Sequence, residues 1–99
     1  MGFYVNPQGQ NKTTFLQQKG EKVSNSFKWN TLPKGKLPVV LIDNGPFTAA
    51  GIAYNEREFN AFTDPSDRRP KEIYIVPVSD LLVASGPDFA KYAKENGLL

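Results

Sequence analysis

The stretch 37–54, LPVVLIDNGPFTAAGIAY, decides the fold. Leu37–Ile42 is β-branched and apolar on both faces, the pattern of a strand in the middle of a sheet. Asp43-Asn44-Gly45-Pro46 then combines Asx side chains, a glycine free to take positive φ and a proline, which together spell a turn. Phe47–Tyr54 follows as a second strand, folded back antiparallel on the first. Its small residues Ala49, Ala50, Gly51 and Ala53 leave one face open to something bulky, most simply a helix.

On the C-terminal side the period changes. Asn55–Phe62 reads as a short helix, with Asn55 as cap, Glu58 at the third position, and Phe59 and Phe62 on one face. The segment 63–70, TDPSDRRP, is a polar loop. Lys71–Val78 is a third strand, and Pro77 marks either an edge or the strand's end, because it cannot donate to the ladder. Ser79 can cap a turn or two over Asp80–Ala84. Pro87 then suits the first turn of a helix over Asp88–Asn96, terminated by Gly97, with Phe89, Tyr92 and Ala93 as its apolar stripe.

On the N-terminal side the signals are weaker. Met1–Pro7 reads as a short extended segment, and Thr13–Gly20 as a two-turn helix. Thr14 and Gln17 have capping-box spacing, Phe15, Leu16 and the Lys19 stem point to the core, and Gly20 supplies a left-handed terminator. Glu21–Lys36 reads as a loop pinned by Val23, Phe27, Trp29 and Leu32 rather than as a linker. The expected fold is α+β: a small, mainly antiparallel, three- to four-stranded sheet with short helices packed on one side. It is expected as a single domain over 1–99, with a loop-rich basic part (1–36) and a β-β-α-β-α core (37–99). Strands 3–5 and 72–78 are expected at sheet edges, where extension between two copies would give a homodimer.

Composition narrows the chemistry. The 99 residues include neither cysteine nor histidine, so disulfides, thiolate nucleophiles, the usual general base near neutral pH and the commonest zinc ligands are all missing. No Walker or dinucleotide glycine motif occurs, Ser-x-x-Lys is absent, and Asp64-Pro65-Ser66-Asp67 lacks the ligand alternation of a calcium loop. No metal, no cofactor and no enzymatic activity are expected. An enzyme built from carboxylates with Ser or Tyr is the last alternative. The apolar runs are too short to span a bilayer, and no basic, apolar, small-residue series opens the chain, so a soluble cytoplasmic protein is expected.

Net charge is +2, unevenly placed, because residues 1–42 carry +5 and residues 43–99 carry −3. Three segments are candidate recognition surfaces. Asn44 and Phe47 lie in the hairpin loop, where Asn-Gly is also what turn geometry alone requires. Arg68, Arg69 and Lys71 can clamp a phosphate or carboxylate, or equally pair with Asp64, Asp67, Glu56 or Glu58 and brace the loop. Lys28, Trp29, Lys34 and Lys36 interleave bases with an aromatic, which suits single-stranded nucleic acid or an acidic protein groove, although Trp29 also reads as a core or lid residue.

GFYVNP, TFLQQKG, LPVVLIDNGPFTAAGIAY and NEREFNAFTDPSDRRPKEIYIVPVSDLL, taken as a set, resemble small uncharacterised proteins encoded by bacteriophages and plasmids. The resemblance implies a mobile-element origin in a bacterial cytoplasm and carries no activity with it. A non-enzymatic binding or regulatory protein acting stoichiometrically on a host protein is therefore the first expectation. A nucleic-acid binder using Lys28, Lys34, Lys36, Arg68 and Arg69 is the second. Whether segments 28–36 and 68–71 share one face separates them.

Overall fold

The computed structural model describes residues 10–43, 45–46 and 48–98. The extended segment expected over 1–7, and candidates Asn44 and Phe47, lie outside the described residues. In chain order the elements are α1 (Gln10–Lys19), β1 (Glu21–Val23), β2 (Lys36–Asp43), β3 (Thr48–Ile52), α2 (Glu56–Phe62), β4 (Lys71–Pro77) and α3 (Val78–Glu95), with a 3-10 turn at Trp29–Thr31. The strands form a four-stranded sheet in the order β1-β4-β2-β3, every neighbour antiparallel. The α+β class is as the sequence indicates.

The hairpin is as read. Val39 pairs with Ile52 and Asp43 with Thr48 across it, and at its turn Gly45 takes φ +90° while its amide donates to the Asp43 carboxylate at 2.9 Å. Ala53 donates to the Pro38 carbonyl, so the N–H that Pro38 lacks falls where β3 stops. On the far side Asp43 donates to the Pro70 carbonyl, and the β2–β4 ladder runs from there to the Lys36–Pro77 pair.

Two expectations are corrected. Strand 72–78 is not an edge: β4 lies between β1 and β2, hydrogen-bonded on both sides, and Pro77 marks its end. The stretch 21–36 is not all loop either, since Glu21–Val23 pairs with Ile73–Ile75 as an outer strand. Three residues are too short for the alternation of apolar and polar positions to register. Of the two outer strands, β1 carries mostly exposed side chains, whereas Ala50 and Ile52 of β3 are buried.

The helices are also divided between the faces rather than gathered on one. Leu37, Val39, Leu41, Ala50, Ile52, Tyr74 and Val76 form one core with Leu16 of α1 and Val78, Leu81, Phe89 and Ala93 of α3. Val40, Ile42, Ala53, Ile73 and Ile75 form the other with Phe59 of α2, joined by Val23, Phe27 and Phe62. This follows from β2 and β4 being apolar on both faces, which leaves two surfaces to cover. The smallness of β3 serves the second layer: a Cβ on Gly51 would sit 2.8 Å from the Phe62 ring.

Local signals explain the helix ends. Asn55 accepts from the Glu58 amide at 2.9 Å, satisfying an orphan donor of the first turn of α2, and Glu58 reaches back to accept from the Tyr54 amide, just before the cap, at 2.8 Å. The two C-terminal helices foreseen from Ser79 and Pro87 form one element, α3, broken at Gly86. Gly97 takes φ +73°, while the Leu98 and Gly97 amides donate to Ala93 and Lys94, a left-handed close that turns Leu98 onto the core. Helix α1 starts earlier than read, at Gln10, so Thr14 lies within it and Lys19 is exposed. Gly20 does not use positive φ. It is a close-approach glycine, because a Cβ there would meet the Leu16 carbonyl at 2.8 Å and Val76 at 3.0 Å.

Candidate functional site

The β2–β4 register settles how the basic segments lie. Lys36 pairs with Pro77 at one end of the ladder, and Lys71 pairs with Ile42 at the other. Six residues at about 3.3 Å each separate those ends by roughly 20 Å. Lys34 and Lys36 therefore stand apart from Arg68, Arg69 and Lys71, and the five do not make one patch. Lys28 is set apart from Lys34 and Lys36, on the face covered by α2, because residues 24–34 run across that face from the end of β1 before turning into β2.

Within 68–71, bracing accounts for two of the three bases. The Arg69 guanidinium holds the Asp67 carboxylate with contacts of 2.6 and 2.9 Å, and the Arg69 amide donates to the same carboxylate at 3.1 Å. Lys71 donates to the carbonyls of Asp67 and Arg69, with its ammonium 3.8 Å from the Asp67 carboxylate. The donation from the Arg69 side chain, then from its amide, holds the Asp67 carboxyl well below the usual carboxylate range. Asp64 is lowered in the same way, by the amide and then the hydroxyl of Ser66. Arg68 points out of this network and, among the described residues, has no ion pair.

Lys28 and Trp29 belong to a different feature. Trp29 is half-buried, its ring 6.2 Å from that of Phe59, and Phe27 meets Phe59 edge-on at 6.3 Å. Trp29 is thus a packing residue that also borders a depression of about 340 Å³ between the 24–30 segment and α2. Asn25, Ser26, Lys28 and Asn30 line one wall, Glu56, Asn60 and Thr63 the other, and Phe27, Trp29 and Phe59 the floor. A second depression, of about 330 Å³, shares Asn25 and Thr63 with the first and continues past Asp64, Asp67 and Arg69 to Lys71. Lys28, Trp29, Arg69 and Lys71 therefore border one continuous surface on the α2 face.

That surface is rich in neutral donors and acceptors, and its formal charges balance: Lys28, Arg69 and Lys71 against Glu56, Asp64 and Asp67. Asn25, Ser26, Asn60 and Thr63 are the residues missed from sequence. The spacing of Glu56, Asn60 and Thr63 on the wet face of α2 was the one legible signal, whereas Asn25 and Ser26 reach the groove only through the path of the chain.

Among the described residues, no group of three or more acidic, histidine or cysteine side chains could hold a metal ion, and no helix is long and apolar enough to cross a membrane. A third depression, lined by Leu41, Asp43, Thr48, Pro70, Lys71 and Glu72, lies at the hairpin end of the sheet. Its Glu72 is engaged by Lys22 at 3.2 Å and by the Tyr74 hydroxyl at 3.0 Å. No protein-family model, no curated protein and no solved structure matches this chain.

Proposed function

We propose that this protein is a non-catalytic binding protein that contacts a partner protein through the groove between residues 24–30 and α2. The observation that carries the reading is the groove's lining: amide and hydroxyl side chains over an aromatic floor, with charges in balance. A polypeptide surface offers the matching mixture of backbone amides, mixed charges and apolar side chains, and aromatic anchors beside polar groups are what protein interfaces favour. A polyanion would call for an excess of positive charge, which this groove lacks. The resemblance to small phage and plasmid proteins supports a host protein inside a bacterial cell as the partner.

The test is affinity capture from a bacterial lysate with three immobilised chains. Asn60→Arg fills the groove from an exposed position on α2, and Val83→Asp alters an 87% exposed residue of α3 on the other side of the sheet. The wild-type and Val83→Asp chains are expected to retain one common protein that Asn60→Arg loses. Retention by Asn60→Arg with loss by Val83→Asp would move the surface to α3. Capture of nothing specific by any of the three would overturn the reading.

A further inference from the structure

Residues 24–34 are tied to the rest of the molecule in an unusual way. The chain is anchored before them by the β1–β4 pairing at Val23 and after them by the Val78 amide, which donates to the Gly35 carbonyl at 2.9 Å. Between those anchors, among the described residues, every hydrogen bond stays local. Phe27 donates to Ser24, Thr31 to Lys28 and Leu32 to Trp29, and Ser26 bonds Ser24 through both amide and hydroxyl. Residue 36 likewise bonds back to Pro33. Asn25, Ser26, Lys28 and Asn30 face Glu56, Asn60 and Thr63 across the groove, yet among the described residues no hydrogen bond joins the two walls. Among the described residues, what holds the segment down is side-chain packing: Phe27 and Trp29 on Phe59, and Trp29 and Leu32 against both cores.

We propose that residues 24–34 form a strap that swings off the sheet as a unit, hinged at Ser24 and Gly35, and so sets the width of the groove along α2. Segments held by few contacts and by no long-range backbone hydrogen bonds are those that open well below the cost of global unfolding. Gly35 suits a hinge, since it takes φ +81° and no atom lies within 4 Å of where its Cβ would be. Opening leaves the sheet and its ladders intact and uncovers Phe59 with Ile73 and Ile75 beneath it. This motion belongs to the free chain and is tested without any partner, so its failure is separate from failure of the binding reading.

The experiment is native-state hydrogen exchange on the free protein, with acrylamide quenching of the single tryptophan, Trp29, as a second probe. The local turns that protect the Phe27, Thr31 and Leu32 amides are too short to hold once Phe27, Trp29 and Leu32 leave the core. These amides are therefore expected to share one opening and to exchange at least about 100-fold faster than those of Val39 and Leu41, whose bonds break only on wider unfolding. The chain has no cysteine, so Ser26→Cys with Asn60→Cys can be joined by a bismaleimide across the groove. The link is expected to slow exchange in the strap about tenfold or more, to reduce quenching of Trp29 and to leave Val39 and Leu41 unchanged. Phe59→Leu, which keeps the site apolar but removes the ring, is expected to speed the strap more than the sheet. Strap amides that exchange only with the β2 amides, or three unrelated rates indifferent to the link, would overturn the proposal.

Discussion

Tyr54 shows how one side chain can be both well packed and poorly satisfied. Its ring lies 5.6 Å from Phe89 and 5.5 Å from Tyr92, and the residue is 5% exposed, yet its buried hydroxyl has no hydrogen-bond partner among the described residues. Burial first, then the nearby Glu58 carboxylate, pushes the phenol up from 10.0 to about 12. Because the folded value lies above the unfolded one, the stability gained by keeping this phenol neutral is complete below pH 10 and is lost as pH rises towards 12. Tyr54→Phe deletes a buried hydroxyl without opening a large cavity. At pH 7 it is expected to leave stability unchanged or raise it by up to about 1 kcal/mol. Between pH 10 and 12 its urea midpoint is expected to fall less than that of the wild type, and a steeper fall would contradict the assignment. Residue identity alone could not reveal this, because the sequence reads Tyr54 as the last residue of a strand, as any aromatic might be, whereas β3 stops at Ile52. Gly20 misled in the opposite sense. Its place after a helix suggested a left-handed terminator, whereas the role it serves, room for Val76 and the Leu16 carbonyl, depends on a strand 56 residues further along.

At the scale of elements, what was legible was what is local. The hairpin at 37–54, the Asn55–Glu58 cap, the end of β4 at Pro77 and the Pro87 and Gly97 punctuation are each written within a few neighbouring residues. Strand β1 was not, because its pairing depends on β4, some fifty positions away. The break in α3 is local too. Gly86 sits at φ 70° and ψ −148°, a region open in practice only to glycine, and Pro87 follows with no N–H to extend the first half of the helix. The break lets Val78 and Leu81 before it, and Phe89 and Ala93 after it, reach the same core. Gly86→Ala meets no steric neighbour within 4 Å, so its penalty is purely one of backbone conformation. It is expected to lower unfolding free energy by about 1–3 kcal/mol. Chemical denaturation with an unchanged m-value would confirm it, and a neutral result would mean that α3 straightens at little cost.

Over the whole molecule, the charge asymmetry that was plain in the sequence acquires a different meaning once the sheet order is known. The excess of lysine in residues 1–42 suggested a basic face, but that stretch spreads over α1, β1, the strap and the start of β2, on both sides of the sheet. Composition records how many bases there are, and the antiparallel β2–β4 ladder then sets Lys34 and Lys36 at one end and Arg68, Arg69 and Lys71 at the other. Arg69 and Lys71 are further offset by Asp67. Any affinity for nucleic acid should therefore be carried by one small cluster at a time. On a duplex each phosphate neutralised contributes about −0.9 to the slope of log K against log salt, and on a single strand about −0.7. A cluster of two lysines thus gives a slope no steeper than about −2, and all five bases acting together one of about −3.5 to −4.5. Fluorescence anisotropy with a short duplex and a single-stranded probe, titrated between roughly 50 and 200 mM salt, is expected to give a slope no steeper than about −2. Arg68→Glu should leave that slope unaltered, and Lys34→Glu with Lys36→Glu should flatten it. A slope near −4 that falls with both replacements would mean that one bound strand spans the two ends, which the separation along the ladder argues against.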